Sequence, residues 1–188
     1  MESRFEANIP EVILPRRSPD ELQTVTREVL MNTQDYQLLS ECLEGRDREL
    51  CSILPKKMKP LKRVHLLGRY FEASPSKNSY VMVHLLGTEP VAAVIQSIFS
   101  HTRQPIAGSP ITEKFVKIQI FEPLSPTDSL RDLYRRFPHS GGRLYYNCLS
   151  TVCKVIPFDN IFVHFCQTPM MVEEITQECL HVLPLPHT

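Results

Sequence analysis

Residues 115–123, Phe115-Val116-Lys117-Ile118-Gln119-Ile120-Phe121-Glu122-Pro123, constrain the fold more than any other part of the chain. They alternate. Val116, Ile118 and Ile120 share one parity and form an unbroken apolar face, while Lys117 and Gln119 lie on the other, between Phe115 and Phe121. Period-two alternation in a stretch rich in β-branched and aromatic residues predicts a strand. Its apolar face must point into a core, and Pro123, which has no N–H to give a ladder, ends it. An apolar run at 91–99 precedes it and further alternating runs follow. The stretch is therefore expected to be the central strand of a β domain.

The rest of the composition sets bounds. At 188 residues, 42% hydrophobic and 22% charged, the chain has the size and make-up of one domain, or one domain with an extension. The formal net charge is zero, which excludes a polyanion-binding signature for the chain as a whole and makes any basic surface local. No apolar run approaches the roughly 18 residues of a membrane span, so no membrane partner is expected. Glu2, Arg4 and Glu6 open the chain with no apolar core to follow, so no signal peptide is expected either. The six cysteines, without a secretion signal, are expected to be reduced thiols.

Ser18-Pro19-Asp20-Glu21 reads as a helix start: a capping serine, proline in the first turn and an acidic capping-box partner. Leu22, Val25 and Val29 follow at helical spacing, as do Tyr36, Leu39 and Leu43, with a break near Asn32-Thr33. Either one helix runs to Glu44, or a second begins at the break. The stripe Leu22, Val25, Val29, Leu39 and Leu43 is expected to dock a protein partner. Residues 46–63 are charged, and Lys56, Lys57, Lys59, Lys62 and Arg63 put five cations in eight residues. That pattern suits a nuclear import signal, a phosphate-contacting strip or a solvated linker.

Strands are expected from Val64 onward, over 80–86, 91–99 and 115–123, and then as short pieces at 144–148, 153–156 and 161–166. Residues 100–113 read as a Pro/Gly loop, 125–138 as one or two helical turns, and 172–180 as a short helix. Leu183-Pro184-Leu185-Pro186 reads as irregular.

Five stretches in order carry a resemblance. They are Tyr80 to His84, the proline-led Glu89-Pro90-Val91 running to Phe99, Val116 to Pro123, Arg143-Leu144-Tyr145-Tyr146-Asn147, and Val155-Ile156-Pro157-Phe158-Asp159-Asn160-Ile161 with Cys166 beyond. Together they resemble the BAH (bromo-adjacent homology) domain over about half of the chain. Departures from the family pattern are Val91, Gln119, Ile120, Glu122 and the position of Cys166. The resemblance implies an α+β, mainly β fold: a BAH-like twisted β-sheet or partial barrel at 64–168. An N-terminal helical extension and basic linker would occupy 1–63 and a C-terminal tail 169–188. It also implies a non-enzymatic, chromatin-associated adaptor in a nuclear complex, concerned with transcription regulation and gene silencing, and without a cofactor. Protein partners are expected, with a histone tail or nucleosome among the candidates and direct nucleic-acid contact left open. Phe121, Tyr145 and Tyr146 stand near the positions where some family members hold methyl-lysine in an aromatic cage.

One reading from another class is a cysteine/histidine-dependent enzyme or zinc-binding protein using Cys148, Cys153, His164 and Cys166. Structural zinc ligands usually pair two to four residues apart, and this set fits that spacing poorly. His164 and Cys166 share one face of a strand about 7 Å apart, but no glycine elbow accompanies them. Buried thiols in strands are the plainer expectation. The sequence predicts no catalytic, cofactor or metal site.

Overall fold

The computed structural model describes residues 27–44, 54–66, 68–85, 87–105, 108–137 and 142–185, and within them the chain is mainly β. Strand β1 (Val29–Leu30) precedes helix α1 (Thr33–Glu44); β2 (Lys57–Leu61) and a hairpin of β3 (Arg63–Leu66) and β4 (Arg69–Glu72) follow. Then come β5 (Tyr80–Val83), β6 (Val91–Arg103), β7 (Ile111–Pro123), one helical turn α2 (Pro126–Ser129) and a 3₁₀ turn at Leu133–Arg136. Strands β8 (Arg143–Pro157), β9 (Ile161–Met170) and β10 (Cys179–Pro184) complete the chain.

Six strands close a barrel. The order β6-β5-β9-β10-β8-β7 returns on itself because β6 and β7 also pair, from Ala93 opposite Ile120 to Arg103 opposite Ile111. Closure pairs each ring strand on both sides over much of its length and leaves little open edge to aggregate through. Strand β2 adds to β6 outside the ring, and β1 adds to β2. As expected, β7 is central, flanked by β6 and β8, and Val116 and Ile118 are fully buried; Ile120, expected to be buried with them, is only partly buried against the same cluster.

The opposite face of β7 is not left to water. Phe115 and Phe121 are buried too: Phe115 packs with Leu39 and Leu43 of α1, and two further apolar clusters lie against β7. One holds Val116 and Ile118 with Val81, Ile95 and the hairpin's Val64 and Phe71. The other draws on all six ring strands, including Met82, Val94, Phe121, Tyr145, Phe165 and Leu180. A strand buried on both faces loses the polar alternation that a half-buried one keeps.

Several expectations need correction. The loop expected at 100–113 is largely strand, since β6 runs to Arg103 and β7 begins at Ile111. The pieces at 144–148 and 153–156 are one strand, β8, whose register against β7 shifts twice near Phe121. Such bulges bend a strand without ending it. Residues 172–180 are not helical. Val172, Ile175 and Cys179 do converge, but through turns, and Cys179 opens β10. Leu183 and Pro184 belong to that strand, where Pro184 is the last residue and needs no further ladder bond. The ring therefore needs residues beyond 168, and 169–188 is not only a tail. Likewise 57–61 is a sheet strand, not a linker. The helix start at Ser18 and residues Leu22 and Val25 lie outside the described residues.

Candidate functional site

Helix α1 starts at the break. The Asn32 side chain accepts from Asp35 N–H at 2.7 Å and its carbonyl accepts from Tyr36 N–H at 3.0 Å, an N-cap arrangement. Val29 therefore sits in β1, opposite Met58, and not on the helix. Leu39 and Leu43 are buried with Phe99, Phe115 and Val155. Lys117 Nζ clamps the same helix through Asp35 Oδ1 at 2.7 Å. Leu39 and Leu43 are thus taken up within the chain and are not available to a partner, whereas Val29 is exposed on β1.

Phe121 and Tyr145 are buried in the cluster shared by all six ring strands. The Tyr145 hydroxyl accepts from Ala92 N–H at 3.3 Å, and burial pushes its pKa above the usual phenol value. Tyr146, one residue on, faces the other way. Its hydroxyl donates to Asp128 Oδ2 at 2.5 Å and accepts from Ser125 N–H at 3.1 Å. Adjacent strand residues point to opposite faces, so Tyr145 and Tyr146 cannot wall one cage. The three aromatics do not form a methyl-lysine pocket.

The basic stretch is divided as well. Lys56 lies over the Tyr36 ring at 5.4 Å; Arg63 pairs with Glu72 at 2.5 Å and lies over Tyr70 at 4.9 Å. Lys62 is exposed, and Lys57 and Lys59 line a small groove.

His164 does not activate Cys166. Its Nδ1 lies 3.1 Å from the Tyr80 carbonyl and its Nε2 3.1 Å from the Tyr70 carbonyl, so both ring nitrogens face backbone carbonyls. Cys166 is exposed, and none of Cys42, Cys148, Cys153, Cys166 and Cys179 is in a disulfide. No three His, Cys, Asp or Glu side chains among the described residues are grouped to hold a metal ion.

A larger groove, about 750 Å³, opens where the segment after β7 crosses the ring. Tyr134, Asp132 and Arg135 come from that segment, Pro90 and Glu89 from the β5–β6 connection, and Phe162 from β9. The segment is held rigidly. Ser125 caps α2 by accepting from Asp128 N–H at 3.1 Å. Asp132 accepts from Tyr134 N–H at 2.9 Å and from Leu144 N–H at 3.2 Å, which ties the 3₁₀ turn to β8. Tyr134 stacks on His181 of β10, with centroids 3.9 Å apart and 18° between planes. Gly142 has no room for a side chain there, because a methyl group would come within 2.5 Å of His181 Nε2.

The same segment exposes Leu130, Leu133 and Phe137 at 75%, 58% and 63%, and β9 exposes Phe162 at 43%. Arg143 and Glu89 pair at the groove at 2.8 Å. The arrangement offers a partly apolar surface with two acidic and two basic side chains, Glu89, Asp132, Arg135 and Arg143, suited to binding. The one local signal for it in the sequence is the surplus of large apolar residues between Leu130 and Phe137, more than two short helical turns can bury.

No protein-family model matches the chain, and none of the curated proteins or solved structures compared with it does.

Proposed function

We propose that this chain is a non-enzymatic protein-interaction module with a BAH-like domain, acting as an adaptor within a chromatin-associated nuclear complex. The five stretches that carry the BAH resemblance fall on or beside β5, β6, β7, β8 and β9, which are consecutive in the chain and all part of the ring. The observation that carries the binding part is the groove beneath Tyr134 and Phe162, with Leu130, Leu133 and Phe137 exposed on the segment that frames it. Exposed aromatic and aliphatic side chains around a preformed concavity mark protein-binding surfaces. The adaptor reading places recognition there and not on Phe121, Tyr145 and Tyr146.

The test is affinity purification from nuclear extract with quantitative mass spectrometry. The wild-type chain is compared with Phe162→Ser and with Glu89→Lys, both exposed positions. The expected result is one stoichiometric chromatin protein, reduced at least tenfold with either variant. Recovery of the same proteins with both variants would remove the groove from the reading. Absence of chromatin proteins would remove the nuclear adaptor role.

A further inference from the structure

We infer that the sheet face carrying Lys57, Lys59 and Lys114 binds the phosphate backbone of a nucleic-acid duplex. The face is assembled by register. Lys59 lies opposite Ser100 of β6, and Ser100 lies opposite Lys114 of β7. Thr102 lies opposite Thr112 in the next row with that parity. Lys57, two residues before Lys59 on β2, projects on the same side. Farther along, Leu61, Ile98 and Val116 continue this face into the buried cluster that holds the hairpin. The cations are therefore mounted on a three-strand platform anchored in the core, not on a loop.

The platform encloses a groove of about 290 Å³ whose charged lining is three lysines and one glutamate, Glu28. Among the described residues, none of these lysines is ion-paired with a carboxylate. Other cations are spent internally: Arg103 pairs with Glu113 and Lys117 with Asp35. In a chain of zero net charge, this sorting leaves a local positive field that the composition conceals.

The hydroxyls fit the same ligand. Thr102 Oγ1 and Thr112 Oγ1 lie 2.8 Å apart. One donates to the other, which leaves one hydroxyl proton to give to an outside acceptor. Lysine and hydroxyl donors on a rigid sheet are the groups that hold phosphate oxygens without reading sequence. The lining holds no aromatic ring; its apolar members are Met58 and Leu61. Single-strand binders depend on aromatic stacking, so the face favours a duplex gripped by its phosphates. This inference is independent of the groove beneath Tyr134.

The test is fluorescence anisotropy of the full chain with a DNA duplex of about 20 base pairs of arbitrary sequence, titrated between about 50 and 200 mM salt. Three phosphate contacts predict that the triple variant Lys57→Gln, Lys59→Gln, Lys114→Gln lowers the slope of log affinity against log salt by about 2 to 3. Lys77→Gln, exposed at the turn before β5, should leave the slope unchanged. Glu28→Gln, which disturbs no lysine, should tighten binding severalfold. Absence of duplex binding at about 50 mM salt, an unchanged slope in the triple variant, or tighter binding to a single strand of equal length would each overturn the inference. Failure of Glu28→Gln to tighten binding would overturn it as well, even if the triple variant proved unstable.

Discussion

His164 of β9 lies stacked on Phe71 of β4, with ring centroids 4.3 Å apart and planes 16° from parallel. The contact fastens the β3–β4 hairpin to the ring, and the two carbonyl partners of His164, Tyr70 and Tyr80, stand one on each side of that join. A neutral imidazole has one donor, so it serves one carbonyl at a time, and only protonation would satisfy both. Burial opposes protonation more strongly than the carbonyls favour it, and it holds the pKa below the usual histidine value. His101, buried against the Pro55 carbonyl at 2.8 Å, is held low for the same reason.

Stability should therefore depend on pH. With both folded-state values below the unfolded value of about 6.5, the unfolded chain takes up protons first as pH falls. The stability that the two histidines contribute is complete above about pH 6.5 and declines as pH drops from there toward the folded-state values. Urea unfolding at about pH 7.5 and about pH 5.5 should show a lower midpoint at the lower pH, and His164→Gln should flatten the difference. A wild-type midpoint that is constant or rises toward pH 5.5 contradicts the assignment.

Ile118 is fully buried in the cluster that joins β7 to the hairpin. Replacing it with alanine removes buried methylenes and leaves a cavity, at a cost of about 2–5 kcal/mol. A loss under about 0.5 kcal/mol would mean that β7 presents its other face.

The Asp35–Lys117 pair joins α1 to β7 where both side chains are mostly shielded from water. Lys117→Met leaves Asp35 without its cation and should cost about 1–3 kcal/mol, chiefly through the stranded carboxylate. Adding Asp35→Asn should cost less than the two single changes together. Strict additivity in a double-mutant cycle would show that the ion pair does not form in solution.

Helix α1 should be part of the folding unit. Leu43→Ala should destabilise by about 2–5 kcal/mol, because Leu43 packs on Phe99 and Phe115. A chain truncated before Pro60 should lose cooperative unfolding or melt far lower. If the truncated chain unfolds as the whole chain does, the packing of α1 on the barrel is incidental.

The sequence carried much of the sheet and little of the site. The alternation of Val116, Ile118 and Ile120 located the central strand, because one face of it is apolar without interruption. β8 looked like two strands because Ser150 and Thr151 interrupt the apolar pattern where its register shifts. β10 was hidden by the prolines after Leu183, whose effect depends on their being at a strand end. The groove left no motif, since Glu89, Asp132, Tyr134, Arg143 and Phe162 come from separate stretches and meet only when the ring closes. The cage reading failed on parity alone: Tyr145 faces the core, so Tyr146 cannot stand beside it. Lys114 escaped notice because it lies more than fifty positions from the lysines it joins across β6.

The adaptor role through the groove is tested most directly by site-specific photo-cross-linking. A benzophenone side chain is placed at Phe162 in the full chain, in cells, with the same group at Lys77 as the control position. The expected result is a single cross-linked chromatin protein from position 162 that is missing from position 77 and lost when Glu89→Lys is added. No specific product at 162, or the same products from both positions, would contradict a docking site in that groove.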